Sequence, residues 1–266
     1  MTDPTEPSTR STVGDSRGAE RAGQPARLPQ PADPVRRLLL VRHATTRATR
    51  RAAFPATTGS APDAACSPLD PAGVAAATVL GAHLPRADHC WTSHATRSVQ
   101  TARCLGLEPG ARMAELAECG FGRWAGSTLE EIHGQDPDGL AAWFADPTSS
   151  PHGGEPLASV RRRAREVLAA AAAVVGTTVA VTHGGLIRAA LLEVLDLPAA
   201  GVWRLDCAPA SVTELHLASD GWRLVRVNWS PRPAAWRTTA EPTGGRIGRL
   251  PAAGGARTAQ PGTGAS

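Results

Sequence analysis

Two histidines occur in the same local setting. Arg42-His43 follows the apolar run Leu38-Leu39-Leu40-Val41, and His183-Gly184-Gly185 follows Thr178-Val179-Ala180-Val181-Thr182. Each run is short and uninterrupted, as expected of a strand covered on both faces. In an open parallel sheet, ligands collect outside the carboxyl ends of the strands, so both imidazoles are delivered to that edge. Gly184 and Gly185 open an apolar helix over 186–195, where backbone N–H groups and a partial positive charge can face an anion. Arg97 falls in the first turns of a helix over 95–105, itself behind a third strand at 90–92. Arg42, Arg97 and the N–H groups at Gly184 are thus candidate phosphate contacts around two imidazoles. Arginine suits such a contact because its planar fork holds two phosphate oxygens, each charged hydrogen bond contributing about 1.5–3 kcal/mol. One histidine after a strand reads as structural; two in matching positions read as a site.

Composition narrows the chemistry. All 28 basic residues are arginine, tyrosine is absent, and Asn228 is the sole asparagine. A P-loop lysine, a Schiff-base lysine and a tyrosine nucleophile are therefore excluded. The five cysteines (66, 90, 104, 119 and 207) are odd in number and form no C-x-x-C pair, which reads as buried thiols in a reducing cytoplasm. His83, His89, His133, His152 and His216 lack metal-ligand spacing, and His94 reads as packing at the core edge. No cofactor or metal is expected. Residues 1–35 hold no signal-peptide core, and no apolar run approaches the roughly 18 residues of a membrane span. Localisation is accordingly read as cytoplasmic. Residues 36–230 carry nineteen arginines against eighteen acids, whereas 231–266 carry five against one. The basic excess belongs to the tail, so no nucleic-acid or membrane partner is expected. Nothing in the sequence bears on oligomeric state.

The elements that must position these residues alternate strand and helix. Helices are expected over 74–84, over 95–105 (capped by Ser93 and ended by Gly106), and from a capping box at Ser127 or Thr128. A long helix is expected over 157–175, with Arg161, Arg162, Arg163 and Arg165 on its wet side. A terminal hairpin spans 211–217 and 222–227, turned by Asp220-Gly221. The alternation implies an α/β fold, a three-layer αβα sandwich with a mostly parallel central sheet. Residues 1–35 and 231–266 are rich in Pro, Gly, Ser, Thr and Arg without hydrophobic period and read as disordered tails. That leaves 36–230 as one domain.

The ordered series of motifs resembles the histidine phosphatase superfamily, the phosphoglycerate-mutase-like proteins. Leu40-Val41-Arg42-His43-Ala44-Thr45-Thr46 is similar to L-V-R-H-G-x-T, and Thr92 to Ala102, with Arg97, to S-x-x-x-R-x-x-x-T-A. The stretch from Leu116 to Gly126, with Glu118, resembles L-x-E-x-x-F-G-x-W-x-G. Gly153-Gly154-Glu155-Pro156 resembles G-G-E-S, and Val181 to Arg188 resembles V-x-H-G-G-x-x-R.

Position by position, the resemblance implies that His43 is the nucleophile and passes through a phosphohistidine. It implies that Arg42, Arg97 and His183 hold the phosphoryl oxygens, with Gly184 at the same edge, and that Glu118 is the proton donor. Glu118 would protonate an alcohol leaving group and then activate water against the phosphohistidine. Arg and His supply the positive charge that a metal supplies elsewhere. Three departures stand out: Ala44 replaces the usual glycine, Pro156 replaces serine, and Thr49 stands where many members have asparagine. Thr49 remains a candidate phosphate contact through its hydroxyl. The expected activity is hydrolysis of a phosphomonoester on a small phosphorylated metabolite. A phosphoglycerate mutase is the first alternative, but the 36 residues between Glu118 and Glu155 are short for the closing segment that mutases usually carry. An α-ribazole phosphatase-like enzyme of cobamide assembly and a weakly active phosphate-binding regulatory member are the others.

Overall fold

Leu38 and Leu40 point to one face of strand β1 (Arg36–Arg42), Leu39 and Val41 to the other, and all four are buried. That double coverage explains a run with no polar alternation. The computed structural model describes residues 35–55 and 67–231; both segments read as disordered tails lie outside these, apart from Val35 and Pro231 at their margins. After β1 come α1 (Arg47–Arg50), α2 (Pro71–Gly81), β2 (His89–Thr92), α3 (Thr96–Cys104) and β3 (Ala111–Arg112). Helices α4 (Leu129–Gln135), α5 (Pro137–Ala145) and α6 (Leu157–Ala173) follow, then β4 (Gly176–Thr182), α7 (Gly184–Val194), β5 (Val212–Ala218) and β6 (Gly221–Trp229).

The sheet runs β3-β2-β4-β1-β5-β6. The first four strands are mutually parallel; β5 pairs antiparallel with β1, and β6 antiparallel with β5. Leu38, Leu40 and Ala180 pack with Val160, Ala164 and Val167 of α6 and Ile187 and Leu191 of α7. On the opposite face Leu39, Val41, Val179 and Val181 pack with Ala77 and Leu80 of α2 and Ala102 of α3. This is the expected three-layer αβα arrangement. Each fully buried leucine contributes roughly 1.5–3 kcal/mol.

Several boundaries differ from the sequence reading for local reasons. Helix α2 starts at Pro71, because the Asp70 side chain accepts the Gly73 N–H and Pro71 sits at the first helical position. Helix α5, unread from sequence, begins the same way, with Asp136 capping Gly139 ahead of Pro137. Thr128, not Ser127, caps α4, with Glu131 completing the box. Ser93 does not cap α3: Ala95 holds the cap position without a side-chain bond. Gly106 ends that helix as expected, at φ +79°. Helix α6 stops at Ala173. Its arginines are not all on the wet side, since the Arg163 side chain is only 12% exposed. His94 is exposed rather than packed.

Candidate active site

Strands β1 and β4 pair in parallel with Val41 opposite Val181 and Arg42 opposite Thr182. The residues that follow, His43 and His183, therefore leave the sheet side by side. The His43 N–H donates to Thr182 O at 2.9 Å, and the two imidazole centroids are 5.1 Å apart at an interplanar angle of 63°. Both rings are buried.

The protein fixes which nitrogen of His43 is free. Nδ1 lies 2.8 Å from Ala44 O; a carbonyl only accepts, so Nδ1 carries the proton and Nε2 keeps its lone pair. Burial holds the His43 pKa well below 6.5, with the charges of Arg97 and Arg42 adding to the effect. His183 is depressed for the same leading reason. Its Nδ1 accepts from Arg97 Nη2 at 3.3 Å, because a guanidinium only donates. Its Nε2 then donates to Ser93 Oγ at 2.8 Å, and Ser93 Oγ donates to Ser98 Oγ at 2.8 Å. Ser93, read as a helix cap, is thus the residue that orients the second imidazole. In this arrangement both nitrogens of His183 are engaged by protein groups.

Arg42 Nη1 donates to Cys207 O. Arg42 Nε and Arg97 Nε are both buried with no hydrogen-bond partner. A buried unmet donor costs about 1–3 kcal/mol, and a tetrahedral anion beside the two rings is a partner of the right charge. Burial lowers both arginines, with Arg188 adding at Arg42, yet a guanidinium stays charged in proteins.

Glu118 reaches this edge from the segment that follows the 3-10 turn Ala114–Leu116. Its Oε1 accepts the N–H groups of Gly185 and Cys119, each at 3.0 Å. Leu116 O accepts from Thr182 Oγ1 at 2.7 Å, which ties the segment to β4. The two glycines opening α7 have separate reasons to lack a side chain. A Cβ on Gly184 would lie 3.2 Å from Arg188 Nη1 and 3.5 Å from Arg42 Nε, and one on Gly185 would collide with Glu118 Oε1. The N–H of Gly185, one of the two glycines that the sequence places at an anion-facing helix start, holds the protein's own carboxylate.

Two departures from the motif find physical explanations. The Ala44 methyl is fully buried in the α2/α3-side core, and the Ala44 N–H donates to Thr101 Oγ1 at 3.0 Å. The extra methyl is accommodated by packing behind the loop. Thr49 donates its hydroxyl to Thr46 O at 2.8 Å and accepts the Thr46 N–H at 2.6 Å. Its oxygen serves the α1 capping box, and its hydroxyl proton is directed at Thr46 O.

Cys90, Cys104, Cys119 and Cys207 are unpaired. Burial pushes the Cys90 thiol up to about 11 and also raises Cys119 and Cys207. Among the described residues no cluster of His, Cys, Asp or Glu could hold a metal ion, and no helix is long and apolar enough to cross a membrane.

Fold and site together define an α/β protein with two imidazoles, two guanidinium groups and a carboxyl group converging at the carboxyl edge of a parallel sheet. The family model for the histidine phosphatase superfamily, branch 1, matches residues 38–230. The chain belongs to that superfamily, and its named relatives place it among the phosphomonoester hydrolases. It is 32% identical over 171 residues to the glucosyl-3-phosphoglycerate phosphatase of Mycobacterium tuberculosis, covering 59% of this chain and 72% of that protein. It is 30% identical over 176 residues to the adenosylcobalamin/alpha-ribazole phosphatase of Salmonella typhimurium, covering 63% and 83%. The solved mycobacterial glucosyl-3-phosphoglycerate phosphatase in complex with VO3 superposes with a TM-score of 0.61 at 31% identity, over 73% of this chain and all of that one.

Proposed function

We propose that residues 36–230 form the catalytic domain of a metal-independent phosphomonoesterase that works through a phosphohistidine on a small phosphorylated metabolite. The observation that carries this reading is the fixed tautomer of His43: Nδ1–H is held by Ala44 O while Nε2 keeps its lone pair beside His183. Nε2 attacks phosphorus as the ester P–O bond breaks, and the departing oxygen takes the proton of the Glu118 carboxyl. Arg42 and Arg97 hold the phosphoryl oxygens through the donors that have no protein partner. His183, whose Nδ1 accepts from Arg97 Nη2, aligns that guanidinium beside the phosphoryl group next to His43. The resulting Glu118 carboxylate removes a proton from water; the water oxygen bonds phosphorus, the P–N bond breaks, and inorganic phosphate leaves.

Hydrolysis rather than mutase chemistry is favoured by the short stretch between Glu118 and Glu155 and by relatives that are named phosphatases. Unpaired cysteines favour a reducing cytoplasm. The partner is a small phosphate ester, with no nucleic acid. Phosphate release from a panel of esters that includes 3-phosphoglycerate tests the reading. Free phosphate from wild type and none from His43→Ala is the expected result; isomerisation without hydrolysis would contradict it.

A further inference from the structure

Arg163 of α6 is set apart from its helical neighbours. Its side chain is 12% exposed, against 60% for Arg162 and 56% for Arg165. Its Nε and Nη2 meet the two oxygens of Glu155 at 2.9 and 2.6 Å. The same guanidinium donates from Nη1 to Glu115 O and Ala117 O, both at 2.8 Å, and Nη2 reaches Glu118 O at 3.5 Å. One planar group is thus shared between a carboxylate that sets its orientation and three carbonyls of the segment bearing Glu118.

Glu155 is itself held to that segment. Its N–H donates to Gly120 O at 2.6 Å, and the Cys119 thiol donates to Glu155 O at 3.4 Å. Residues 115–120 are therefore fastened on one side by Arg163 and Glu155, and on the other by Thr182 and Gly185. The Glu118 carboxyl touches only the second set. Neither side chain of the first pair hydrogen-bonds to an imidazole; the Arg163 charge is only the last of the causes that lower His183, and the contacts of the pair run to the backbone of the Glu118 segment.

We propose that Arg163, aligned by Glu155, is a positioning residue for Glu118, setting the place from which the carboxyl delivers its proton; this rests on the assignment of Glu118 as the acid. A lysine retains the charge but not the fork that satisfies a carboxylate and several carbonyls at once. The consequence is specific to the leaving group. An alkoxide needs a proton to depart, whereas 4-nitrophenolate does not, so a misplaced acid harms alkyl esters more than aryl esters.

The test compares kcat/KM for glycerol phosphate and for 4-nitrophenyl phosphate in wild type, Arg163→Lys, Glu155→Gln and Glu118→Gln. Arg163→Lys is expected to lower the alkyl ester value by about a hundredfold and the aryl value by much less, in the same sense as Glu118→Gln. If Arg163→Lys does not fold, the same shift of the ratio in Glu155→Gln supports the proposal, and an unshifted ratio overturns it. Equal losses on both esters would mean a merely structural role and overturn it, as would no loss on either. A shifted ratio in Glu118→Gln alone would leave the acid standing and remove the clamp; an unshifted ratio in Glu118→Gln would remove the acid assignment, and the clamp with it.

Discussion

Burial and the charges of Arg97 and Arg42 hold His43 well below the ordinary imidazole pKa of 6.5, so its Nε2 lone pair is available throughout the neutral range. As pH falls, the proposed nucleophile is lost only when the lowered value is crossed. The acidic limb of kcat/KM that reports the free enzyme's nucleophile is therefore expected below pH 6.5; a limb at or above 6.5 would count against His43 as that group. Gly185→Ala places a methyl against Glu118 Oε1 and is expected to lower kcat/KM on alkyl phosphates by about a hundredfold, with the circular-dichroism spectrum unchanged. His43 and His183 were legible because each follows a strand directly, Arg42 because it ends β1, and Arg97 because it lies in the first turn of the helix after β2; strand ends of a parallel sheet share one edge. Ser93, Gly185 as the partner of Glu118, and Arg163 were not. Their roles rest on contacts 90, 67 and 46 positions apart in the chain, which no local pattern encodes.

Caps and anchors govern what the elements contribute. Asp70 caps α2 through Gly73 N–H at 2.7 Å, accepts from Thr45 Oγ1 at 3.0 Å and pairs with Arg50 Nε at 2.6 Å. The hydrogen bond from Arg50 is the main reason its carboxyl lies at about 2. Asp70→Ala is expected to cost about 1 kcal/mol, seen as a melting temperature lower by roughly 2–4 °C; an unchanged melting temperature would mean that the cap is redundant. Thr101→Val removes the acceptor of the Ala44 N–H, an expected loss of about 1–3 kcal/mol in denaturant unfolding. Strands β1 and β4 were readable because double-sided burial leaves a short run without polar alternation. Helix α5 went unread although Asp136-Pro137 announces its start, since Pro, Asp and Gly in its first turn also read as a turn. The two-residue strand β3 has too little sequence to carry a period, and exists because β2 offers it a partner.

At the level of the whole molecule, placing the site at a buried strand edge makes stability depend on pH. Burial lowers both His43 and His183, so the unfolded chain takes up protons that the folded protein refuses. Stability is full above the unfolded value near 6.5 and falls as pH drops below it, by about 1.4 kcal/mol per pH unit for each histidine. On the proposed reading inorganic phosphate binds the assembled pocket and not the unfolded chain, and is expected to offset part of the loss. Urea unfolding at pH 7.5 and 5.5, with and without phosphate, checks this; equal stability at the two pH values would contradict it. The alignment of strand ends that creates this dependence also sets up the proposed nucleophile. Rapid quenching during turnover of a ³²P-labelled ester, followed by peptide mapping, tests that nucleophile most directly. The label should be found on His43, stable in alkali and lost in acid, and absent from His43→Ala; turnover with label on another residue, or undiminished in His43→Ala, would contradict the account.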